Sequence, residues 1–451
     1  MRRPALLLLL ALGIPAGCMV TRRPQPEVAV RLVAVGDGWA RSSVNAVIFR
    51  SHSLVTHDRI QYIAWYDGEG RMLLGKRRLG SDHWEIRPTR YTGNVRDAHN
   101  AISIAVDGRG VVHVAWDHHG QPLNYARGIA PGSLELTDRL PMTGDREDEV
   151  TYPQFTALPD GGLLLLYRAG ASGRGDVLLN RWDVASRTWR AVAHPLIGGE
   201  GARNAYPNPL VVDGRGGWHV SWVWRETPDV ASNHDILYAF SPDQGRSWRT
   251  SAGAPQTLPV TAENAEVVWR VPQGSGLINQ TSMAVNARGR PLIATYWRPA
   301  GSEVPQYQLV WFTGREWRTS QIGQRQRPFR LEGEGTRRIP LSRPLVLAGD
   351  GEAVYVVFRD EEQGGGITAA CAPDAAHSAW RFVQLDRQPV GLWEPTHDPV
   401  VWARDGRLHL FHQLVGQGEG ETLEEVPPQR VSVLEWSPAC GGMAGPRTPA
   451  K

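Results

Sequence analysis

Imidazole side chains, which can move protons near neutral pH, are concentrated in one short stretch of the sequence. Residues 96–120 read RDAHNAISIAVDGRGVVHVAWDHHG. The pattern predicts a β-hairpin with strands at Ile102–Val106 and 111–116 and a turn at 107–110, whose glycines supply the positive φ of a tight reversal. Antiparallel pairing places the start of one strand beside the end of the next. We therefore expect His99 to lie near His118 and His119, although solvated loop histidines would give the same pattern.

The hairpin belongs to an internal repeat. Segments of the form turn, apolar strand, aromatic residue, polar residue occur seven times. The aromatic residues that end these strands are Trp65, Trp116, Tyr167, Trp222, Tyr296, Phe358 and Phe411. The number of residues between successive aromatic residues in this series is enough for four short strands. The sequence therefore predicts an all-β fold: a seven-bladed β-propeller of four-stranded antiparallel blades over residues 41–438. Insertions near 262–278 and 321–340 are expected to form loops over one face.

The N-terminus has the features of an export signal. Residues 1–18 combine two arginines, an apolar run and small residues before Cys18, which predicts a signal peptide of the lipoprotein type with lipidation at Cys18. Plain cleavage is the alternative. Residues 19–40 are expected to be a linker and 439–451 a tail. The protein is therefore expected in the periplasm, on the outer membrane or cell surface, or secreted.

Composition limits the partners of the chain. The 451 residues carry a formal net charge of +3 and contain no basic run, which argues against a nucleic-acid partner. We expect membrane contact only through a lipid anchor, and a monomer. Cys371 and Cys440 are available for one disulfide in an oxidising compartment, but their spacing does not show whether they pair.

In a propeller, residues that open the first strand or end the second strand of each blade surround one mouth of the central channel. Here they are rich in His, Tyr, Arg and Trp, a set that suits an anionic sugar, because Arg pairs with carboxylates and aromatic rings stack on pyranose faces. The candidate site residues are His99, Asn100, His118, His119, Tyr152, Arg168, Tyr206, Arg225, Trp297, Arg298 and Arg359. His113, His219 and His409 lie within strands and are expected in the core.

Histidine clusters also bind Zn²⁺. No Cys or Glu pair with ligand spacing accompanies His99, His118 and His119, so the sequence predicts no metal at the site and no required cofactor. A structural divalent cation elsewhere stays open.

Three stretches resemble a known family: RDAHNAISIAVDGRGVVHVAWDHHG, VNAVIFRSHSLVTHDRIQYIAWYD and LNYARG. They are similar to BNR-repeat propellers that include the ulvan lyases of polysaccharide lyase families 24 and 25. The resemblance implies β-elimination at a 4-linked uronate of an anionic polysaccharide. By motif it implies His99 as general base, Tyr152 as general acid and Arg168 as the residue that neutralises the carboxylate, with His119 and Tyr206 as binding or orienting partners.

Other functions stay open on the same fold. Related propellers hydrolyse rhamnosyl-glucuronate linkages, and His52 is a candidate for that chemistry. A glycan-binding propeller without catalysis is a second alternative. An Asp box at 241–248 (SPDQGRSW) is a turn device in which the Asp bonds the backbone, and it carries no site role. An Arg-Ile-Pro at 338–340 also occurs in sialidases, but here it precedes the sixth blade rather than opening the first.

Overall fold

The structure is a computed structural model that describes residues 29–440. The predicted signal peptide, Cys18 and residues 441–451 of the predicted tail lie outside the described residues. None of the helices in residues 29–440 is long and apolar enough to cross a bilayer.

Short strands provide almost all of the regular structure in the described residues. In chain order the strands are β1 (Val30–Gly38), β2 (Leu54–His57), β3 (Ile60–Tyr66), β4 (Arg71–Arg78), β5 (Glu85–Thr92), β6 (Ile102–Val106), β7 (Val112–Trp116), β8 (His119–Gln121), β9 (Tyr125–Arg127), β10 (Val150–Ala157), β11 (Leu163–Ala171), β12 (Arg174–Asp183), β13 (Thr188–Ile197), β14 (Asn204–Pro207), β15 (Val211–Val212), β16 (Trp218–Arg225), β17 (Asn233–Ser241), β18 (Trp248–Arg249), β19 (Pro255–Gln256), β20 (Glu266–Trp269), β21 (Ser282–Val285), β22 (Pro291–Trp297), β23 (Gln306–Phe312), β24 (Trp317–Ile322), β25 (Leu345–Ala348), β26 (Val354–Arg359), β27 (Ile367–Ala372), β28 (Arg381–Asp386), β29 (Leu408–His412) and β30 (Gln429–Trp436). The helical elements are α1 (Pro399–Asp405) and 3-10 turns at Ile48–Arg50, Val230–Ser232 and Glu361–Gln363.

The strands form sheets of neighbouring antiparallel hairpins. Within residues 29–440, β2–β5, β21–β24 and β25–β28 each make a four-stranded sheet, and β6, β7 and β9 make a three-stranded one. A twelve-stranded sheet contains β8 and β10–β20, because a single parallel pairing of Gly175 with Asn204 joins the hairpins on either side. The predicted all-β fold is confirmed. The sheets are less uniform than seven separate four-stranded blades.

The two ends of the described chain meet in one sheet. Strand β1 pairs with β30 from Val30 opposite Trp436 to Gly38 opposite Gln429, and β30 also pairs with β29. Residues 30–38 are therefore part of a sheet rather than of the predicted linker. Cys371 and Cys440 form a disulfide with their Cα atoms 5.9 Å apart, which ties β27 to the chain that follows β30.

The repeated aromatic residues are the centres of hydrophobic packing. All seven strand-end aromatics predicted from the repeat are buried, each at most 1% exposed. His113, His219 and His409 are buried within strands, as expected. Burial of each large ring stabilises the folded protein by about 1.5–3 kcal/mol. The repeated aromatic residues therefore contribute mainly to the packing of the core.

Candidate active site

The predicted hairpin forms, and its open end carries the histidines. Strands β6 and β7 pair from Ile102 opposite Trp116 to Val106 opposite Val112. After β7, Asp117 adopts a left-handed backbone (φ 64°) and its Oδ1 accepts from the backbone N–H of Asn94 at 2.7 Å. The left-handed turn directs the chain into β8, which begins at His119. His119 is thereby placed against the segment that precedes β6.

One carboxylate joins two of the histidines. Asp97 Oδ1 lies 2.6 Å from Nδ1 of His99, and Asp97 Oδ2 lies 2.6 Å from Nδ1 of His119. The two imidazoles are stacked, with centroids 4.0 Å apart and 14° between their planes. No described group hydrogen-bonds Nε2 of either ring. The arrangement leaves two ring nitrogens available to a ligand.

Burial and hydrogen bonding set the charge of this group. Burial alone would raise the pKa of Asp97, but the hydrogen bonds from His119 and His99 outweigh it and hold that pKa far below its usual range. Burial lowers the pKa of His99, and the hydrogen bond to Asp97 opposes that shift only in part. At neutral pH, Asp97 is therefore ionised and His99 is neutral, as a general base must be.

A pair of tyrosines lies next to His99. Tyr152 is 5.7 Å from His99 between ring centroids, and Tyr206 is 6.1 Å from Tyr152. The backbone of Tyr152 is left-handed (φ 55°), at a shift of register between β10 and β11 that falls between Thr151 and Gln154. Such irregularities redirect a side chain that would otherwise follow the strand, and they are common next to active sites.

The tyrosine hydroxyls differ in acidity because arginines contact only one of them. Burial raises the pKa of Tyr152, and the neighbouring Tyr206 raises it further. Burial would also raise the pKa of Tyr206, but Arg225 and Arg168 outweigh it and lower that pKa. Their guanidinium groups donate to the Tyr206 hydroxyl at 3.2 and 3.4 Å, respectively. Tyr152 therefore keeps its proton at neutral pH.

The arginines near the tyrosines differ in how far they lie from the pocket. Arg168 is 3% exposed, lies 5.3 Å from the ring centroid of Tyr152, and donates to Thr151 Oγ1 at 3.0 Å. Arg225 and Arg343 instead line the pocket in front of His99 and Tyr152. Arg343 is held by Glu394, whose Oε1 accepts from its side chain at 2.9 Å and from its backbone N–H at 3.1 Å.

The insertion at 321–340 forms one wall of this pocket, as expected for a loop over one face. Its residues Leu331, Gly335, Thr336, Arg337 and Ile339 line the cavity together with Phe49 and Asn279. The hydroxyl of Thr336 is 3.5 Å from Nδ1 of His99. The loop is attached to the segment after β29 through ion pairs of Arg337 with Glu419 (3.1 Å) and of Arg338 with Glu424 (2.8 Å).

The structure brings together six of the candidate residues: His99, His119, Tyr152, Arg168, Tyr206 and Arg225. The other five have structural contacts. Asn100 is buried and its amide donates to the backbone oxygen of Asn94. His118 is buried, its Nε2 accepts from the backbone N–H of Asn124 at 2.7 Å, and burial lowers its pKa to about 3.

Trp297, Arg298 and Arg359 likewise have other partners. Trp297 packs in the apolar cluster that also contains Phe49, Tyr152 and Tyr206. Arg298 donates to the backbone oxygen of Gly274 and pairs with Glu303. Arg359 touches the pocket wall but is 1% exposed, and it donates to the backbone oxygens of residues 339, 340 and 393. We leave these five residues out of the site proposed below.

Asp97, Arg343 and Glu394 complete the site and are absent from the sequence-based set. The Asp-Ala-His spacing was a usable signal, since an Asp often accepts from the backbone two residues later. That hydrogen bond is present, from His99 N–H to Asp97 Oδ1 at 2.9 Å. Arg343 and Glu394 are 51 positions apart in the sequence, and no local sequence pattern predicts an ion pair between them.

Asp97, His99 and His119 also form a set that could hold a metal ion. Each offers one ligand atom, and these atoms lie within 4.8 Å of one another. The hydrogen bonds from Nδ1 of each ring to the carboxylate already satisfy the same groups without an ion.

A second cavity, of about 1130 Å³, lies at the other end of the hairpins. Asp213 lines it from the turn before β16, whereas Arg225 at the far end of that strand lines the first pocket. His52 and His397 face each other in this cavity, with ring centroids 6.5 Å apart. Burial lowers the pKa of both, to about 4 for His52 and about 3 for His397.

These features define a class of protein: an all-β repeat protein with a polar pocket at the open ends of its hairpins. The chain belongs to the BNR repeat-containing family, whose model matches residues 60–325.

Similar curated proteins are ulvan lyases. The long isoform from Pseudoalteromonas sp. (strain PLSV) is 25% identical over 267 residues, which cover 46% of this chain and 26% of that protein. The long isoform from Alteromonas sp. (strain LOR) is 24% identical over 267 residues, with the same coverage. The chain thus spans about a quarter of the length of these relatives.

Solved structures share the fold. A PL25 ulvan lyase bound to -[GlcA(1-4)Rha3S]- superimposes with a TM-score of 0.66 at 15% identity, covering 88% of this chain and 98% of that one. The polysaccharide lyase Uly1 gives a TM-score of 0.62 at 17% identity, covering 86% and 90%. At these identities the likeness concerns the fold alone.

Proposed function

We propose that this protein is an exported polysaccharide lyase that cleaves a 4-linked uronate in an ulvan-like anionic polysaccharide by β-elimination. The observation that carries the proposal is the meeting of a neutral histidine, a protonated tyrosine and two pocket-lining arginines around one cavity. The ulvan lyases among its relatives and fold neighbours support the substrate class.

The reaction needs a base for the proton on C5 of the uronate. Nε2 of His99 is unpaired within the described residues, and its ring lines the pocket. In the proposed step the C5–H bond breaks, its proton goes to Nε2, and its electron pair forms the C4–C5 double bond. Asp97 beside Nδ1 offsets the positive charge that His99 then carries.

The leaving oxygen O4 needs a proton as its bond to C4 breaks. Tyr152 is the proposed donor, because its pKa is raised and its ring adjoins His99. Arg168, Arg225 and Arg343 offset part of the rise in the pKa of Tyr152, and they would stabilise the phenolate after transfer.

The uronate carboxylate must be neutralised for C5 to become acidic. Arg168 matches the family motif, but it lies behind Tyr152 and Tyr206 and is 3% exposed. We therefore assign direct contact with the carboxylate to Arg343 and Arg225, and we assign to Arg168 the support of the two tyrosines. His119 and Tyr206 orient these groups.

The remaining parts of the proposal concern the whole molecule. Seven hairpin groups, with β1 completing the last, would close as a seven-bladed propeller, an arrangement that leaves only short strand edges exposed. Export through the predicted signal peptide, with or without lipidation of Cys18, would bring the enzyme to a polymer that cannot enter the cell.

Ultraviolet absorbance tests the reaction directly, because β-elimination creates an unsaturated uronate. Purified mature protein should give rising absorbance with ulvan and less with glycosaminoglycans, alginate or rhamnogalacturonan. Absence of the signal on the whole panel would refute the lyase.

A hydrolase acting on rhamnosyl-glucuronate linkages is the second candidate, favoured by His52 and His397 in the second cavity. It predicts new reducing ends without ultraviolet absorbance. A propeller that only binds glycans predicts neither, and its binding should survive substitution of His99 and Tyr152.

A further inference from the structure

Asp97 holds two imidazoles with one carboxylate. Its two oxygens accept separately from Nδ1 of His99 and Nδ1 of His119, both at 2.6 Å. Oδ1 also accepts from the backbone N–H of His99 at 2.9 Å. The carboxylate is thus fixed by the same local turn that carries one of the rings it contacts.

These contacts determine where the ring protons lie. An ionised carboxylate only accepts, so each Nδ1 that bonds to it carries a proton. A neutral imidazole has one ring proton, so Nε2 of the neutral His99 ring carries a lone pair. The two rings are stacked nearly parallel, with their centroids 4.0 Å apart.

We propose that Asp97 is a positioning residue that fixes His99 in the Nδ1–H tautomer and also accepts from Nδ1 of His119, with the Nε2 lone pair of His99 facing the pocket. The kinetic consequence rests on the proposed lyase function, whereas the tautomer does not. Without the carboxylate, His99 could adopt the other tautomer, whose Nε2–H cannot take a proton, and the imidazolium formed during turnover would lose its counter-charge.

A neutron crystal structure of the deuterium-exchanged protein tests the tautomer without substrate. We expect deuterium on Nδ1 of both rings and none on Nε2 of His99. Deuterium on Nε2 of His99, or an ion between the three side chains, would overturn the assignment.

Kinetics of Asp97→Asn tests the consequence. Because a positioned base contributes on the order of 10²–10⁴-fold, kcat on ulvan should fall about 100-fold with KM little changed. Asp97→Glu, which keeps the charge, should recover part of the loss. Thermal unfolding of each variant identifies any that fails to fold.

Asp107→Asn is the matched control, because Asp107 contacts His113 at the turn end of the same hairpin, 3.4 Å from its Nε2. It should lower the melting temperature and leave kcat unchanged. A folded Asp97→Asn variant that keeps wild-type kcat would overturn the kinetic claim. If the wild-type protein gives no unsaturated product on any polymer, the lyase proposal fails, and the neutron result still decides the role of Asp97.

Discussion

The two ends of the hairpin β6–β7 hold the same kinds of side chain in different states. At the turn end, His113 is fully buried, with Nε2 3.4 Å from Asp107 and Nδ1 2.7 Å from the hydroxyl of Tyr125. At the open end, His99 shares Asp97 with His119, and its ring lines a pocket with Nε2 unpaired within residues 29–440. Both ends combine Asp, His and Tyr. Of the two ends, only the open end has a ring nitrogen that no group in the described part of the chain hydrogen-bonds.

The turn-end arrangement recurs, which identifies it as part of the architecture. In the hairpin that contains β16, His219 contacts Asp213 at 3.1 Å through Nε2 and Tyr238 at 2.6 Å through Nδ1. A set that repeats from hairpin to hairpin with both nitrogens satisfied stabilises the strands. An Asp–His pair therefore suggests chemistry only where the second nitrogen lacks a partner and meets a cavity.

Substituting each histidine by Gln gives the largest expected contrast. His99→Gln should lower kcat on ulvan by roughly 10³-fold, because Gln can still donate to Asp97 but is no base at neutral pH. His113→Gln should leave kcat unchanged and lower the free energy of unfolding by about 1–3 kcal/mol, through poorly paired Asp107 and Tyr125. Steady-state kinetics and urea unfolding measure the two effects. Equal loss of kcat in both variants would remove the distinction between the ends.

Removing single hydroxyl groups sharpens the comparison. Tyr152→Phe should lower kcat about 100-fold, since it deletes the proposed proton donor. Tyr125→Phe should cost about 1 kcal/mol of stability by deleting the hydrogen bond to His113, with kcat unchanged. The same two measurements apply, and a fully active Tyr152→Phe variant would show that the proton comes from elsewhere.

Arginines extend the contrast to substrate binding. Arg343→Gln should raise KM for ulvan about tenfold, as expected for the loss of one charged hydrogen bond to the uronate. Arg325 provides the control. It is buried, its Nε lies 2.8 Å from Oδ2 of Asp360, and it does not line the pocket. Arg325→Gln should reduce stability and leave KM unchanged. An unchanged KM in Arg343→Gln would assign the carboxylate to other residues.

Acid affects activity through His99. Its pKa is lowered from 6.5, chiefly by burial, so the neutral base persists below pH 6.5 and kcat/KM should decline only as the pH falls further. The groups that face this ring are Asp97, His119, Tyr152 and Glu421. A pH profile of kcat/KM measures the decline. An acid limb at or above pH 6.5 would contradict the environment described for His99.

Acid also lowers stability, through buried histidines without catalytic roles. The pKa of His118 falls from 6.5 to about 3 on folding, so between these values the unfolded chain binds a proton that the folded chain does not. Stability is thus complete above pH 6.5 and decreases as the pH falls, by at most about 1.4 kcal/mol per pH unit for this one residue. Urea unfolding at pH 7 and pH 5 measures the decrease, which should shrink in His118→Gln.

Local patterns explain what the sequence could predict. The strands at Ile102–Val106 and its counterparts follow from alternating apolar residues and glycine-containing turns, both encoded within a few positions. The meeting of His99 with His119 follows from antiparallel pairing. The proximity of Tyr152 needed the family motif as well, because its position depends on a register shift in β10.

The remaining site residues depend on packing between distant segments. Arg359 ends β26 and Arg343 lies two residues before the neighbouring β25, but three backbone oxygens accept from buried Arg359, whereas Arg343 pairs with Glu394. His118 and His119 are adjacent in sequence, but after the left-handed Asp117 the buried His118 bonds to Asn124, whereas His119 bonds to Asp97. Such choices depend on side-chain partners that sequence spacing does not specify.

A crystal structure of His99→Gln with a bound ulvan oligosaccharide tests the central claim most directly. We expect the uronate in the pocket beside Tyr152, its carboxylate on Arg343 or Arg225, and its C5 at about 3–3.5 Å from residue 99, the distance of a reactive pose. An oligosaccharide bound instead in the second cavity, beside His52 and His397, would contradict the account.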